Sequence, residues 1–379
     1  MASRNQKREK MKTVQMPKFG AFLPRLVQTV RGRMKNKALA YGYANARVHA
    51  MKANLLSQEQ MEKLILVEST GSLIGLLETT HYKNDISALS VKYKGEELVE
   101  MATGRNFARD ANKMLRIAPK GARGAVAAIL RRYDITNIKT ILLGHALSRK
   151  EEIRELLIPA GELGEKMLNR MAGAKDLREA LSFLRGGLYQ IPRELEERGN
   201  VEGIIEHVEK KYYENLEAGA AALAGESEGK ALLELAEMEI DAKNLMNALR
   251  EKALLQKGKK CSGTQMINGG KLKQRFMLEL GRAQTLEDAV GAVESQLGMA
   301  GMAGRFSKEK SLAGVEVEIE KRTARKKLHS FHRSVLSLGA LVGYLFLKGQ
   351  EMANIRKIVR GKQYGLSPQQ IREMLITVN

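Results

Sequence analysis

Hydrophobic residues recur with helical spacing from Tyr41 almost to the end of the sequence. The stretch after Thr285 is typical, because its apolar side chains stand three and four positions apart and therefore share one face of a helix. These side chains are Leu286, Ala289, Val290, Val293 and Leu297. One strand-like alternation, at 90–94, is short and receives little weight. The pattern predicts an all-α chain.

Several predicted helices begin at a recognisable cap. A Ser or Asp side chain can accept hydrogen bonds from the exposed N–H groups of a first helical turn. The side chain of a Glu or Gln three residues later can in turn accept one from the backbone N–H of the Ser or Asp. Pro368 also occupies a first helical position, where its fixed φ fits. Each pair predicts a helix that begins just after the Ser or Asp. The pairs are Ser57 and Gln60, Ser148 and Glu151, Asp176 and Glu179, and Ser367 and Gln370.

Composition agrees with this prediction and indicates a compartment. Aromatic residues make up 5% of the chain and Trp is absent, which favours helix over strand. The longest uncharged run, 334–347, is shorter than the roughly 20 residues that a membrane-spanning helix needs, so it predicts a buried core helix. Cys261 is the single cysteine, and no apolar run of signal-peptide length begins the sequence. We therefore expect a cytoplasmic protein.

A threefold internal repeat changes the predicted fold. Three segments share an acid, two further residues, an Asn and an aliphatic residue, and their Asn residues are 107 and 110 positions apart. The flanking segments repeat at a similar interval, since 157–163 matches 266–272. The acid and the Asn lie on one helix face and both hydrogen-bond nearby backbone. They predict a polar clasp on an adjoining turn, or a partner contact, at Asp134 and Asn137, Asp241 and Asn244, and Glu351 and Asn354.

The repeat predicts three similar helical lobes behind a basic N-terminal extension. The expected boundaries are 1–37 for the extension and 38–147, 148–256 and 257–379 for the lobes. The segment from Asn45 to Gln60 matches the segment from Asn354 to Gln370. The last segment of the chain therefore repeats the pattern with which the first unit begins. Matching ends favour closure around a pseudo-threefold axis over an extended stack.

A net charge of +21 predicts a partner with an acidic surface: nucleic acid, anionic lipid or an acidic protein. Residues 1–52 carry thirteen Lys and Arg against one acid, Glu9. A basic helical-repeat protein that binds nucleic acid is therefore the alternative function. Nucleic-acid modules usually interleave aromatic side chains with their cations, and aromatic residues here are sparse.

No pattern predicts catalysis, a cofactor or a metal. The segment from Gly225 to Ala231 resembles a phosphate loop only faintly, because three residues separate its glycines and Ala231 stands where a Ser or Thr must bind Mg²⁺. His329 and His332 are three apart on a predicted helix, but no third His or Cys lies near them in sequence. We expect a protein that is not an enzyme.

The closing stretch 354–371 reads NIRKIVRGKQYGLSPQQI, and shorter motifs begin at Tyr41, Thr80 and Tyr133. Together, and in this order, these segments resemble the C subunit of archaeal A-type ATP synthases, whose eukaryotic relative is the d subunit of the V-ATPase. The resemblance runs from Tyr41 to the C-terminus and leaves the basic extension unexplained. Leu143 departs from the pattern, since it stands where the other repeats carry Arg250 and Arg360.

This resemblance implies a funnel-shaped, non-catalytic rotor subunit on the cytoplasmic face of the membrane. Such a protein sits on the proteolipid ring, and its central cavity receives the tip of the central stalk, formed by the D and F subunits. It implies no nucleotide or ion site and no nucleic-acid partner, while nearby anionic lipid would attract basic side chains. Contacts are expected at the clasps and at the basic residues Arg47, Arg250, Arg356, Arg360 and Lys362.

Overall fold

The computed structural model describes residues 39–223, 227–258, 266–332 and 337–377. Every regular element in these ranges is a helix, which confirms the all-α prediction. The segment at 90–94 lies in a turn between two helices. The predicted extension at 1–37 and Cys261 lie outside the described residues. Within those residues, no helix combines the length and the apolar character needed to cross a membrane.

The helices are numbered in chain order, and α1 is described over 39–52. The others are α2 (Gln58–Leu66), α3 (Thr70–Glu78), α4 (Lys83–Leu89), α5 (Gly95–Ile117), α6 (Lys120–Ala146), α7 (Lys150–Leu156), α8 (Glu165–Ala172), α9 (Leu177–Ser182), α10 (Arg193–Arg198), α11 (Val201–Ala221), α12 (Ser227–Gln256), α13 (Gln274–Arg282), α14 (Leu286–Leu297), α15 (Met302–Glu309), α16 (Leu312–His332), α17 (Leu338–Gln363) and α18 (Pro368–Met374).

Six of these helices are long and pack as three pairs. Helix α5 packs on α6, α11 on α12, and α16 on α17. Each pair also packs on the next, because α6 contacts α11, α12 contacts α16, and α17 contacts α5. The last long helix therefore packs against the first, and the six contacts form a closed cycle.

Short helices precede each long pair and share cores with it. The core around α2, α3 and α4 also contains Ile355 and Val359 of α17 and Ile371 of α18. Each such buried aliphatic side chain stabilises the fold by about 1.5–3 kcal/mol relative to an exposed one. The C-terminal part of the described chain thus packs in the same core as its first short helices. The lobe boundaries given above stay predictions.

Three of the four predicted helix starts are confirmed. The side chains of Ser57, Asp176 and Ser367 each accept the N–H group three residues later at the start of α2, α9 and α18. The prediction at Ser148 is wrong. Its φ is +57°, and the N–H of Arg149 bonds to the carbonyl of Gly144 at 2.8 Å, so Ser148 ends α6 in a Schellman motif instead of starting α7.

The uncharged run at 334–347 is confirmed as buried over its described part. Helix α17 begins at Leu338, where the side chain of Ser337 caps the first turn. Leu341, Tyr344 and Leu345 are then buried on α17. This helix also carries the third acid and Asn pair, so its burial fixes the position of that site.

Candidate functional site

The first acid and Asn pair joins α6 to the irregular segment that follows α7. The amide of the buried Asn137 makes two hydrogen bonds with Ile158, donating to its carbonyl at 2.8 Å and accepting its N–H at 2.8 Å. Asp134 accepts the N–H groups of Glu162 at 2.8 Å and Leu163 at 3.0 Å. Because this segment is not helical, its backbone groups need such partners.

The second pair, on α12, makes the same contacts. Asn244 donates to the carbonyl of Ile267 at 2.9 Å and accepts its N–H at 3.0 Å. Asp241 accepts the N–H of Leu272 at 3.0 Å. Ile267 and Leu272 stand 109 positions after their counterparts in the first pair. The repeat in sequence is therefore a repeat in hydrogen bonding.

The third pair, on α17, is completed from both ends of the described chain. Asn354 donates to the carbonyl of Ile376 at 2.9 Å and accepts its N–H at 3.1 Å, and Ile376 again stands 109 positions after its counterpart. Glu351, however, accepts the N–H of Leu56, which comes just before α2. One half of this clasp therefore comes from the C-terminal side and the other half from the N-terminal side.

A buried polar cluster surrounds Glu351. Its carboxylate accepts hydrogen bonds from the hydroxyl of Tyr82 at 2.7 Å and the ammonium of Lys348 at 2.8 Å, and lies 3.3 Å from a ring nitrogen of His81. Lys348 is 1% exposed. Burial opposes ionisation of Glu351, but the contacts with His81, Lys348 and Tyr82 outweigh burial and lower its pKa to about 2.

Asp134 is shifted in the opposite direction. Burial raises its pKa to about 6, and the hydrogen bonds from Glu162, Leu163 and Tyr189 offset only part of that effect. The ordinary pKa of this group is 3.8. The protonated carboxyl therefore stabilises the folded state fully when the pH is below 3.8. Its contribution is lost as the pH rises through about 6. The clasps on α6 and α17 therefore respond differently to pH.

Two glycines allow the acids to approach the segments they bind. A Cβ atom on Gly161 would collide with the carboxylate of Asp134, and one on Gly270 would collide with that of Asp241. In the third clasp the corresponding residue is Asn54, two positions before Leu56. The third acid is a Glu, whose longer side chain reaches Leu56 without such an approach.

We expect Gly161→Ala to lower the free energy of unfolding by about 1–3 kcal/mol, the range for overpacking a tight site. The added methyl group would push Asp134 away from the N–H groups that it accepts. Urea denaturation measures the change. Gly124→Ala on α6 is the control, because nothing lies within 4 Å of its Cβ position. A helix-interior alanine there should stabilise, and equal losses in both variants would contradict the role of Gly161.

The basic candidate residues are placed in different parts of the molecule. On α17, Arg356 donates to the carbonyl of Glu100 at 2.7 Å, Arg360 pairs with the carboxylate of the same residue at 2.5 Å, and Lys362 donates to the carbonyl of Ile65 at 2.7 Å. These three tie the end of α17 to α2 and α5. Two others lie elsewhere: Arg250 pairs with Glu316 at 2.6 Å, and Arg47 is exposed on α1.

A cavity of about 570 Å³ lies among α6, α11, α12, α16 and α17. Apolar side chains such as Met246, Phe331 and Phe346 line it together with charged ones. The lining contains six cations and three acids, namely Arg132, Lys243, Arg250, Lys327, Arg356 and Lys357 with Glu239, Glu316 and Glu320. The wall is thus amphipathic with an excess of positive charge.

Sequence reasoning missed a charge cluster in this wall, in which Glu239 and Lys327 are largely buried and Arg132 is partly exposed. Glu239 accepts hydrogen bonds from Lys327 at 2.5 Å, Arg132 at 3.2 Å and the hydroxyl of Tyr212 at 3.0 Å. Burial opposes ionisation of Glu239, but the charges of Lys327 and Arg132 prevail and lower its pKa to about 2. Lys327 is 88 positions from Glu239 in sequence and Arg132 is 107, so no local spacing could have indicated the cluster.

The described residues contain no group of three or more His, Cys, Asp or Glu side chains arranged to hold a metal ion. The side chain of His332 lies outside the described part of the chain.

Residues 44–374 match the profile of the family described as ATP synthase (C/AC39) subunit. The chain belongs to this family. Among its relatives, the C subunit of the A-type ATP synthase of Methanosarcina barkeri is 30% identical over 357 residues, which cover 91% of this chain and 95% of the relative. The Haloferax volcanii protein of the same name is 28% identical, with coverage of 88% and 97%. The Methanocaldococcus jannaschii protein is 26% identical, with coverage of 89% and 86%.

Membership of the ATP synthase (C/AC39) subunit family confirms the resemblance noted in the C-terminal stretch. The matched region begins within α1 and includes all six long helices. These archaeal relatives give no support to the nucleic-acid alternative. The chain is a subunit of a rotary ATP synthase of the archaeal type.

Proposed function

We propose that this chain is the non-catalytic rotor subunit that couples the central stalk of the ATP synthase to the membrane proteolipid ring. The closed cycle of long helices, α5 to α17, is the observation that carries the proposal. A closed body of this kind can be centred on a rotating axis. Torque would pass through tightly packed helices, which deform little.

The proposed body is a funnel of three similar lobes around a pseudo-threefold axis. Two observations support it: the residues bound by the three clasp Asn side chains recur at steps of 109 residues, and the contacts between the six long helices form a closed cycle. The clasp acids and amides would hold each irregular segment against its long helix. In this proposal the clasps keep the lobes stiff, and they contact no partner directly.

The cavity among α6, α11, α12, α16 and α17 is the proposed seat for the tip of the stalk, formed by the D and F subunits. Its apolar patches suit burial against another protein, and its excess of cations suits an acidic tip. The opposite face would rest on the proteolipid ring at the cytoplasmic side of the membrane. Basic surface residues there would be attracted to anionic headgroups within about a Debye length, roughly 10 Å at 0.1 M salt.

Reconstitution tests the proposal. The full chain, carrying an affinity tag, is combined with a purified D–F stalk and a detergent-solubilised proteolipid ring encoded by the same genome. We expect the tag to recover both, and we expect omission of the chain to separate stalk from ring. Recovery of neither partner, with both shown to be intact, would overturn the assignment.

We expect Arg250→Glu to weaken binding of the stalk about tenfold, because it reverses a charge on the cavity wall and places two acids beside each other. Its partner Glu316 is partly exposed, so the fold should lose little stability. Arg178→Glu is the control, since Arg178 is exposed on α9 and does not line this cavity. Surface plasmon resonance with immobilised stalk measures both, and equal affinities would contradict this seat.

A further inference from the structure

A second cavity, of about 620 Å³, lies between α12, α16 and the segment that carries Leu272. Helix α16 lines both cavities, which share Ile319 and Thr323, but its charged residues divide between them. Glu316, Glu320 and Lys327 line the central one, whereas four basic residues line the second. These residues are Arg322, Arg325, Lys326 and His329.

The spacing of these four residues brings like charges together. Positions 322, 325, 326 and 329 are three and four apart, so their side chains are neighbours on one helix face. Like charges at such spacing destabilise a helix. The Nε of Arg322 is buried and has no hydrogen-bond partner among the described residues. A buried guanidinium N–H without an acceptor is an unfavourable arrangement unless something binds there.

The acids around this cavity are already engaged. Asp241 accepts the N–H of Leu272 in the second clasp, although it also attracts Lys326. Glu234 accepts the hydroxyl of Ser330 at 3.0 Å. Lys271, a further cation in the lining, pairs at 2.7 Å with Glu237, which is not part of it. The cavity therefore has an excess of positive charge.

Lys326 is exposed on α16, but partial desolvation of its ammonium lowers its pKa, and the nearby charge of Arg322 adds to that effect. An anion between these two side chains would offset both effects on that pKa, because it would attract the ammonium, and it could accept the unpaired Nε–H of Arg322. A guanidinium fork matches the oxygens of a phosphate group well. The volume is also within the range of small-ligand pockets.

We propose that this cavity binds a phosphate group, through Arg322 and Lys326, with Arg325 and His329 at its edge. The group could belong to a small phosphorylated molecule or to a phospholipid headgroup, because both present the same oxygens. This site adjoins the proposed seat of the stalk but shares no basic residue with it. It can be tested on the isolated full chain, so its failure would not affect the rotor assignment.

The first experiment measures pyrophosphate binding to the full chain at low salt, by calorimetry and by thermal unfolding. We expect pyrophosphate to raise the Tm of the wild type, with sodium chloride at equal ionic strength as reference. Arg322→Gln combined with Lys326→Gln should lose at least tenfold in affinity without lowering the Tm of the free protein. Lys308→Gln is the control, because Lys308 is exposed on α15 outside this cavity. If the double variant does not fold, Lys326→Gln alone serves.

The second experiment separates the two sources of phosphate. Flotation with phosphatidylglycerol vesicles, compared with phosphatidylcholine vesicles, should recover clearly more of the wild type than of the double variant, and as much of Lys308→Gln as of the wild type, if the ligand is a headgroup. Pyrophosphate binding without flotation would assign the site to a soluble ligand. An equal pyrophosphate response in the wild type and the folded variants would overturn the site. So would a variant with lower Tm and unchanged affinity, because the two cations would then be structural.

Discussion

Replacing Asn137 by leucine is expected to lower the free energy of unfolding by about 2–6 kcal/mol, because each buried backbone group left without a partner costs roughly 1–3 kcal/mol. Leucine fills a similar volume but offers no hydrogen bond, so the N–H and the carbonyl of Ile158 both lose their partner. Denaturation in urea, followed by far-ultraviolet circular dichroism, measures the change.

Asn169→Leu is the matched control for this substitution. Asn169 is exposed on α8, and leucine is the better helix former, so stability there should stay the same or rise slightly. Asn244→Leu and Asn354→Leu should reproduce the loss seen at Asn137, because all three amides make the same pair of bonds. A loss below about 0.5 kcal/mol at Asn137, the size of an ordinary surface effect, would show that Ile158 finds other partners.

Replacing Lys348 by methionine is expected to cost about 3–5 kcal/mol, the range for removing one partner of a buried ion pair. Glu351 would stay buried without the ammonium at 2.8 Å. In the wild type, the pKa of Glu351 is about 2, against 4.5 for the ordinary group. Its contribution is therefore complete above about 4.5 and is lost as the pH falls toward 2.

Lys348→Met should also move this loss of stability to higher pH, because the carboxylate loses its nearest cation and its pKa must rise. Unfolding curves across the acid range, from about pH 3 to about pH 7, measure the shift. Lys63→Met on α2 is the control, since Lys63 forms an exposed pair with Glu59, and it should change neither stability nor its pH dependence. An unshifted acid transition in Lys348→Met would mean that other groups hold Glu351 ionised.

The acid and Asn pattern was readable in the sequence because the first two pairs, and Asn354 of the third, bind a segment some 20 to 30 residues further along the chain, at a spacing that the repeat preserves. The partner of Glu351 was not readable. Leu56 is 295 positions away, and no local pattern connects the two. The packing of α17 against α2 brings the two residues together.

The error at Ser148 has a comparable origin. Small polar residues are common at both ends of helices, and the sequence there also has the Glu three positions later that typifies a start. Backbone hydrogen bonds determine that Ser148 ends a helix. The N–H of Ser148 donates to the carbonyl of His145, and the N–H of Arg149 donates to the carbonyl of Gly144. A side-chain pattern alone does not contain that information.

The clasp on α17 also constrains when the protein can finish folding during synthesis. Leu56 leaves the ribosome early, whereas Glu351 and Ile376 are translated some three hundred residues later. Until then the N–H of Leu56 lacks its native acceptor, and α2 to α4 lack the aliphatic residues of α17 and α18 in their core. Contacts of such long sequence separation form slowly, so the core around α2 to α4 is completed only after α17 and α18 have been translated.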